Sequence, residues 1–260
     1  MIGKKELIYY FKELGIQPGM VIEVHGSLQN TLVTGNAQTI IDALLDVIGY
    51  EGTILLPLHC TSNTEPSTWT KPIIQPSIVP TIRKRLPAYS NKNSDTYENG
   101  ILSENLRRRD NVIFSSHPNK GYIAIGKYAK QLCQNHSNNF AFSIDSPSNK
   151  LLELKGYILL LDSTYKNISS LNLSQYYYDT HPIIINCAMV NDQGHKTFNK
   201  YLDIQHNNTI YDIIGSILEN QGQVNKITIN KSSIKLIPFD KILNTTIKYI
   251  NNNSIINLYR

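Results

Sequence analysis

Two apolar runs separated by one helical repeat constrain this chain more than any other feature. Residues 20-MVIEVHGSL-28 read as a strand, 39-TIIDALLDVIG-49 carries helical periodicity, and 52-GTILLPLHC-60 is a second buried strand. A strand–helix–strand unit of this length closes as a parallel pair with a right-handed crossover. The chain is therefore α/β in class. Its 260 residues suit one domain over 1–260 and can bury a substantial core.

The flanking segments extend that unit. Leu7, Tyr10, Phe11 and Leu14 recur at helical spacing and Gly15 ends the helix. From 61 to 99 the chain is rich in Ser, Thr, Asn and Pro, with Trp69 and short helical candidates such as 81-TIRKRL-86. So long an irregular stretch reads as a lid or a cleft wall. Next, 100-GILSENLRRR-109 reads as a helix, 112-VIFSSHP-118 as a strand and turn, and 121-GYIAIGKYAKQLCQNH-136 as a helix. The strand 157-YILLLD-162 leads into 167-NISSLNLSQYYYDTHP-182, which reads as a helix opening where a buried strand ends. Two strands, 183-IIINCAMV-190 and 196-KTFNKYLD-203, form a hairpin through 192-DQGH-195. Helix 209–221, strand 233–239 and helix 240–253 close the chain. The expected architecture is a mixed, largely parallel central sheet with flanking helices and an antiparallel hairpin in the C-terminal half. The hairpin is expected to make the sheet mixed.

Composition excludes several classes. Apolar content of 41% and charge of 17% suit a folded chain. Cys60, Cys133 and Cys187 are odd in number and widely spaced, which fits neither a disulfide framework nor a metal site. No apolar run approaches the roughly 18–20 residues of a membrane span, and the amino terminus lacks a signal-peptide core. A cytoplasmic protein is expected, with no membrane partner. The net charge of +5 is concentrated at 83-RKR-85 and 107-RRR-109, a solvated basic face. The tyrosines 176-YYY-178 lack neighbouring Lys or Arg, so no nucleic-acid partner is expected.

Three stretches place polar groups directly after apolar strands. In 25-HGSL-28, small residues after a His expose backbone N–H groups suited to an amide or a phosphate; a structural His fits equally. In 115-SSHPNKG-121, Pro118 fixes a turn and Lys120 stands at the expected start of a helix opened by Gly121. A helix start with a cation is an anion site, and an ordinary strand-to-helix turn fits as well. In the third stretch, Asn172 and Gln175 have the spacing of a capping box, with Ser169 or Ser170 as alternative caps. Spacing alone leaves the function open.

Taken in order, these stretches resemble the aminoglycoside 3-N-acetyltransferase family, over about residues 5–178. Family members carry His-Ser-Ser-Leu at the first strand end, where this chain has 25-HGSL-28, and then a strand like 52-GTILLP-57. Trp69, 87-PAY-89 and Gly100 through Glu104 to Arg107 follow the family order. So do 114-FSSHPNKG-121, His136 with 146-SP-147, and a strand of Leu-Leu-Leu type before the final motif. The resemblance implies metal-free acyl transfer from acetyl-coenzyme A to an amine. It implies cofactor binding by His25, Gly26, Ser27, Leu28, Ser115, His117 and Gly121; Lys120 joins them as the cation of the anion site.

The departures matter as much. Phe114 replaces the family's Arg, Gly121 a Ser, and Gly26 a Ser. Asn172 and Gln175 replace the His and Glu that the family uses to take the proton from the attacking ammonium. Neither amide is a base, and a positioned base contributes typically ~10²–10⁴-fold. If Ser170 occupies the family's small-hydroxyl position, an oxyanion-type donor survives while the base does not. Three outcomes follow: His181, His25 or His117 supplies the base, or proximity alone suffices, or the protein is a degenerate binding module. The catalytic candidates are thus Ser170, Asn172, Gln175 and His181. The segment 61–99 carries only Glu65, Asp95 and Glu98 against several cations, which suits an anionic amino sugar better than a polycation. The expected partners are that small-molecule amine and a second copy of the chain.

Overall fold

At the centre of the molecule, β1 (Val21–Gly26) pairs parallel with both β2 (Thr53–His59) and β5 (Tyr157–Leu161). Helix α2 (Asn36–Ile48) makes the crossover between β1 and β2, as the sequence pattern requires. This computed structural model describes residues 1–178 and 181–253; Asp179 and Thr180 of the opening stretch and residues 254–260 lie outside them. The central sheet runs β3–β4–β2–β1–β5–β9–β8. Here β3 is Ile113–Phe114, β4 is Lys120–Gly126, β8 is Asn225–Ile229 and β9 is Ser232–Pro238. All four outer strands pair antiparallel, so the parallel part is confined to the three central strands.

Helices cover both faces, and the short α3 (Val79–Arg85) lies within the stretch 61–99. Leu7 and Phe11 of α1 (Lys4–Glu13), Ile40 and Leu44 of α2, and Leu102 and Leu106 of α4 (Gly100–Leu106) pack on one face with Ile22 and Val24. The other face carries α5 (Ala129–Cys133), α6 (Pro147–Glu153), α7 (Tyr211–Asn220) and α8 (Phe239–Asn253), through Leu132, Leu151, Ile214 and Ile242. Each such side chain, wholly buried, contributes about 1.5–3 kcal/mol.

The alternation of side chains along a strand decides where the polar residues go. On β1, Ile22 and Val24 enter the first core, so Val21, Glu23 and His25 face the second. On β2, Ile54, Leu56 and Leu58 enter the first core and His59 faces the second.

Several expectations are corrected. Residues 121–126 belong to strand β4 and only Ala129–Cys133 is helical, so Gly121 opens no helix and Lys120 stands at a strand start. Tyr122, Ile123 and Ala124 are fully buried between two helical layers, and β4 pairs with β2 along its whole length. A short run apolar on both faces has no period that separates strand from helix. Strand β8 was not expected, because 225-NKITI-229 is short and polar at an edge. The hairpin, β6 (Ile183–Asp192) with β7 (His195–Ile204), is a separate two-stranded sheet. The central sheet is mixed because of its outer strands.

Candidate active site

The carboxyl ends of the parallel strands gather the polar residues of the second face, where ligands bind in open α/β sheets. Glu23 and His25 come from β1, His59 from β2, and Lys120 and Tyr122 from β4; the register pairs His59 with Lys120. Glu23 is 0% and His25 4% exposed, and His25 Nε2 lies 3.1 Å from Glu23 Oε1, short of hydrogen-bond alignment. Neither oxygen of Glu23 has a hydrogen-bond partner, nor have His59 Nε2 and Tyr201 OH.

The turn before β4 is ordered by two histidines whose protons can be assigned. His117 Nδ1 accepts from the backbone N–H groups of Asn119 (3.1 Å) and Lys120 (2.9 Å), so it carries no proton. His136 Nε2 lies 2.7 Å from the Ala141 carbonyl and must donate, which leaves Nδ1 to accept from Ser115 Oγ at 3.0 Å. Ser115 Oγ in turn accepts from the Tyr122 N–H at 2.8 Å. Burial holds His117 and His59 well below the usual histidine range and pulls His136 to about 4. These imidazoles are therefore neutral at pH 7. Burial also lowers the pKa of Lys120. Among the described residues, no group of three or more His, Cys, Asp or Glu side chains could hold a metal.

The opening segment is a 3-10 helix over Ser170–Tyr177, and its expected capping box is absent. Ser169 is the N-cap residue and makes no side-chain cap. Asn172 Oδ1 instead accepts from Gln175 Nε2 (3.1 Å) and from Tyr211 OH (3.0 Å). Gln175 Nε2 also donates to the Asn207 carbonyl (3.0 Å), and its Oε1 accepts the Asn207 N–H (2.8 Å). The two amides thus tie this segment to the start of α7. Ser170 Oγ lies 3.4 Å from Tyr122 OH, which also contacts Ser148 Oγ at 3.1 Å.

A cavity of about 370 Å³ opens beside the histidines. The irregular stretch forms one wall, including Glu65, Trp69, Lys71, Asp95 and Glu98. Asn119 and Lys120 come from the β4 turn, and Ile185, Cys187 and Tyr201 from the hairpin. Backbone bonds fix hairpin to wall: Met189 N donates to the Asn63 carbonyl (2.8 Å), and Tyr89 N to the Met189 carbonyl (2.8 Å). The stretch 61–99 is therefore a cleft wall. Glu65 is committed to Arg83 through two bonds, of 2.9 and 2.7 Å, and that partner lowers its pKa.

The candidates separate accordingly. Lys120 lines the cavity, and His117 meets Tyr201 of its wall with ring centroids 5.2 Å apart. His25 and Ser27 are buried at the end of β1, while Leu28 is packed in the first core. Gly26 has φ +85°, and a Cβ there would meet the Leu161 carbonyl at 2.2 Å. Gly121 lets the backbone pass close, since its Cβ would come within 3.1 Å of the His117 and Leu58 carbonyls. Burial lowers the pKa of half-buried His181, just before β6. Sequence reasoning missed Glu23, His59, Tyr122 and Tyr201. Glu23 had a signal: it stands two residues before His25 on a strand, so the two share a face.

Comparison with known proteins agrees with this architecture. The family model for aminoglycoside 3-N-acetyltransferase matches residues 24–251. The SPbeta prophage-derived aminoglycoside N(3')-acetyltransferase-like protein YokD of Bacillus subtilis (strain 168) is 28% identical over 254 residues, which span 96% of this chain and 93% of YokD. Its crystal structure superimposes with a TM-score of 0.90 at 26% identity, covering 96% of this chain and 98% of that one. Aminoglycoside N(3)-acetyltransferase IX of Micromonospora chalcea is 28% identical over 226 residues, or 81% of this chain and 75% of the relative. A binary complex of AAC-IIIb with CoASH shares the fold, with a TM-score of 0.86 at 19% identity over 97% of each chain. The extent of the family match shows that this chain belongs to the aminoglycoside 3-N-acetyltransferase family.

Proposed function

We infer that this protein moves an acetyl group from acetyl-coenzyme A to an amine held in the cavity between the 61–99 wall and the hairpin. Membership of the family makes coenzyme A-dependent N-acetyl transfer the reaction class. The observation that carries the reading for this chain is the position of the cavity: its lining includes Lys120 from the start of β4 and Tyr201, whose ring packs on the neutral His117. The thioester enters along the 25-HGSL-28 end of β1 and the turn 115–121, with Gly26, Ser27, Ser115, His117 and Gly121 around it.

The lining also bears on the acceptor. Glu65, Asp95 and Glu98 face Lys71 and Lys120 across one cavity, and Arg83 already neutralises Glu65. A cavity of such mixed charge suits an amino sugar that also carries an anionic group. A bare polycation meets the ammonium of Lys120. Lys120→Met should therefore lower kcat/KM for glucosamine 6-phosphate about 10-fold and leave or raise that for sisomicin, a loss of roughly one charge-assisted contact.

Calorimetry with acetyl-coenzyme A, followed by thiol release with each acceptor, tests the reading. Micromolar binding and acceptor-dependent thiol release are expected. Absence of both at millimolar cofactor would show that the fold persists without the reaction.

A further inference from the structure

Glu23 is an unusual residue for the middle of a central strand. It is fully buried between Ile22 and Val24, its two oxygens have no hydrogen-bond partner, and its nearest charge partner is His25 at 3.1 Å. An isolated buried carboxylate is destabilising unless something compensates it, and an apolar residue of similar volume is often the more stable choice. Buried polar groups without partners are rare enough that each needs a reason. His59 Nε2 on the neighbouring strand and Tyr201 OH, which lines the cavity, are likewise buried without a hydrogen-bond partner.

We propose that Glu23 and His25 form the proton-accepting pair of this enzyme: Glu23 fixes the imidazole through Nε2, and Nδ1 takes the proton of the attacking ammonium. The proposal rests on the acetyl-transfer reading above. It answers the difficulty posed by Asn172 and Gln175, which are neither basic nor free, since both are engaged with Tyr211 and Asn207. A carboxylate behind a histidine holds the tautomer and stabilises the imidazolium that forms. His25 immediately precedes Gly26 and Ser27, the turn proposed above for the thioester, and lies at the carboxyl end of β1.

The step balances as follows. The acceptor ammonium gives one proton to His25 Nδ1, and the freed lone pair forms the N–C bond at the thioester carbonyl. Collapse of the tetrahedral intermediate breaks the C–S bond and expels the coenzyme A thiolate. The amide nitrogen sheds its second proton, the thiolate takes one from His25, and one proton is released to solvent. Glu23 is a positioning residue and His25 the catalytic one.

The charged and titratable groups around His25 are few. Glu23 lies on its own strand, His59 on β2, and Lys120 and Tyr122 on β4; on β5 its register partner is Leu160. The pH profile therefore reads the pair. Glu23→Gln keeps the shape and removes the charge. It should lower kcat at least ~10-fold with acetyl-coenzyme A affinity within about 2-fold, and hold or raise Tm. The acidic limb of kcat/KM should change from that of the wild type. His25→Asn should lower kcat about 100-fold and flatten that limb. A merely structural Glu23 would lower Tm and leave the limb in place. Kinetics within 2-fold of wild type in both variants overturn the proposal while the acetyl-transfer reading stands. Wild-type protein that releases no thiol with sisomicin or glucosamine 6-phosphate overturns both.

Discussion

The two polar clusters near the end of β5 are built on opposite terms. Around Asn172 and Gln175 both amide oxygens and the Gln175 amide nitrogen are matched, and no member is a charge: Gln175 serves both the N–H and the carbonyl of Asn207, and Tyr211 bonds Asn172. Around Glu23 and His25 the groups are titratable, buried and unmatched. A satisfied amide network rigidifies what it touches and offers nothing to a substrate. An unsatisfied one is destabilising, and where it persists in a folded protein it calls for a reason such as a functional role. Asn172 and Gln175 thus form a brace to the segment before α7, while β1 carries the pair that we propose as the base.

Acid should have the largest effect, through buried histidines outside both clusters. His136 has a folded pKa of about 4 and His206 of about 3, both lowered by burial, and His59 and His117 shift the same way. For a depressed histidine the unfolded chain binds the proton first. Stability is then complete above pH ~6.5 and falls as pH drops toward the folded value. His136 alone accounts for about 3 kcal/mol across that window. Urea unfolding at pH 7 and pH 4.5 should show a loss of several kcal/mol, and near-UV signals from Tyr122 should go with it. An unchanged midpoint would contradict the neutral state of the cluster.

The next contrast is between Gln175→Ala and Glu23→Gln. Truncating Gln175 strands the N–H and carbonyl of Asn207 and should cost about 2–3 kcal/mol in urea, with less loss of kcat than His25→Asn. Glu23→Gln should do the reverse, keeping stability and losing rate. If both variants fall in the same column, the distinction between brace and site fails. The smallest effect sharpens the brace: Tyr211→Phe removes the 3.0 Å bond to Asn172 and should lower stability by about 1 kcal/mol.

Residue types carried much of this in advance. The β1–α2–β2 unit was readable because each element has its own period, and the cleft wall because its composition allows only short helical turns. Strand β4 was not, since 121-GYIAIG-126 is apolar on both faces and only the pairing with β2 selects strand over helix. The spacing of Asn172 and Gln175 fits a capping box locally. The decisive partners, Asn207 and Tyr211, lie 32 and 36 residues beyond Gln175 in the chain.

What the sequence by itself determined is local: periodicity, turn chemistry, the order of family motifs, and the absence of a base in the final motif. The tertiary structure decided which polar residues share an enclosure and which of them are already matched. That is a matter of long-range pairing, because a side chain's availability depends on neighbours brought in from other strands. Glu23 reads as an interruption in an apolar run, and becomes a buried carboxyl group beside His25 only once two helical layers close over the sheet.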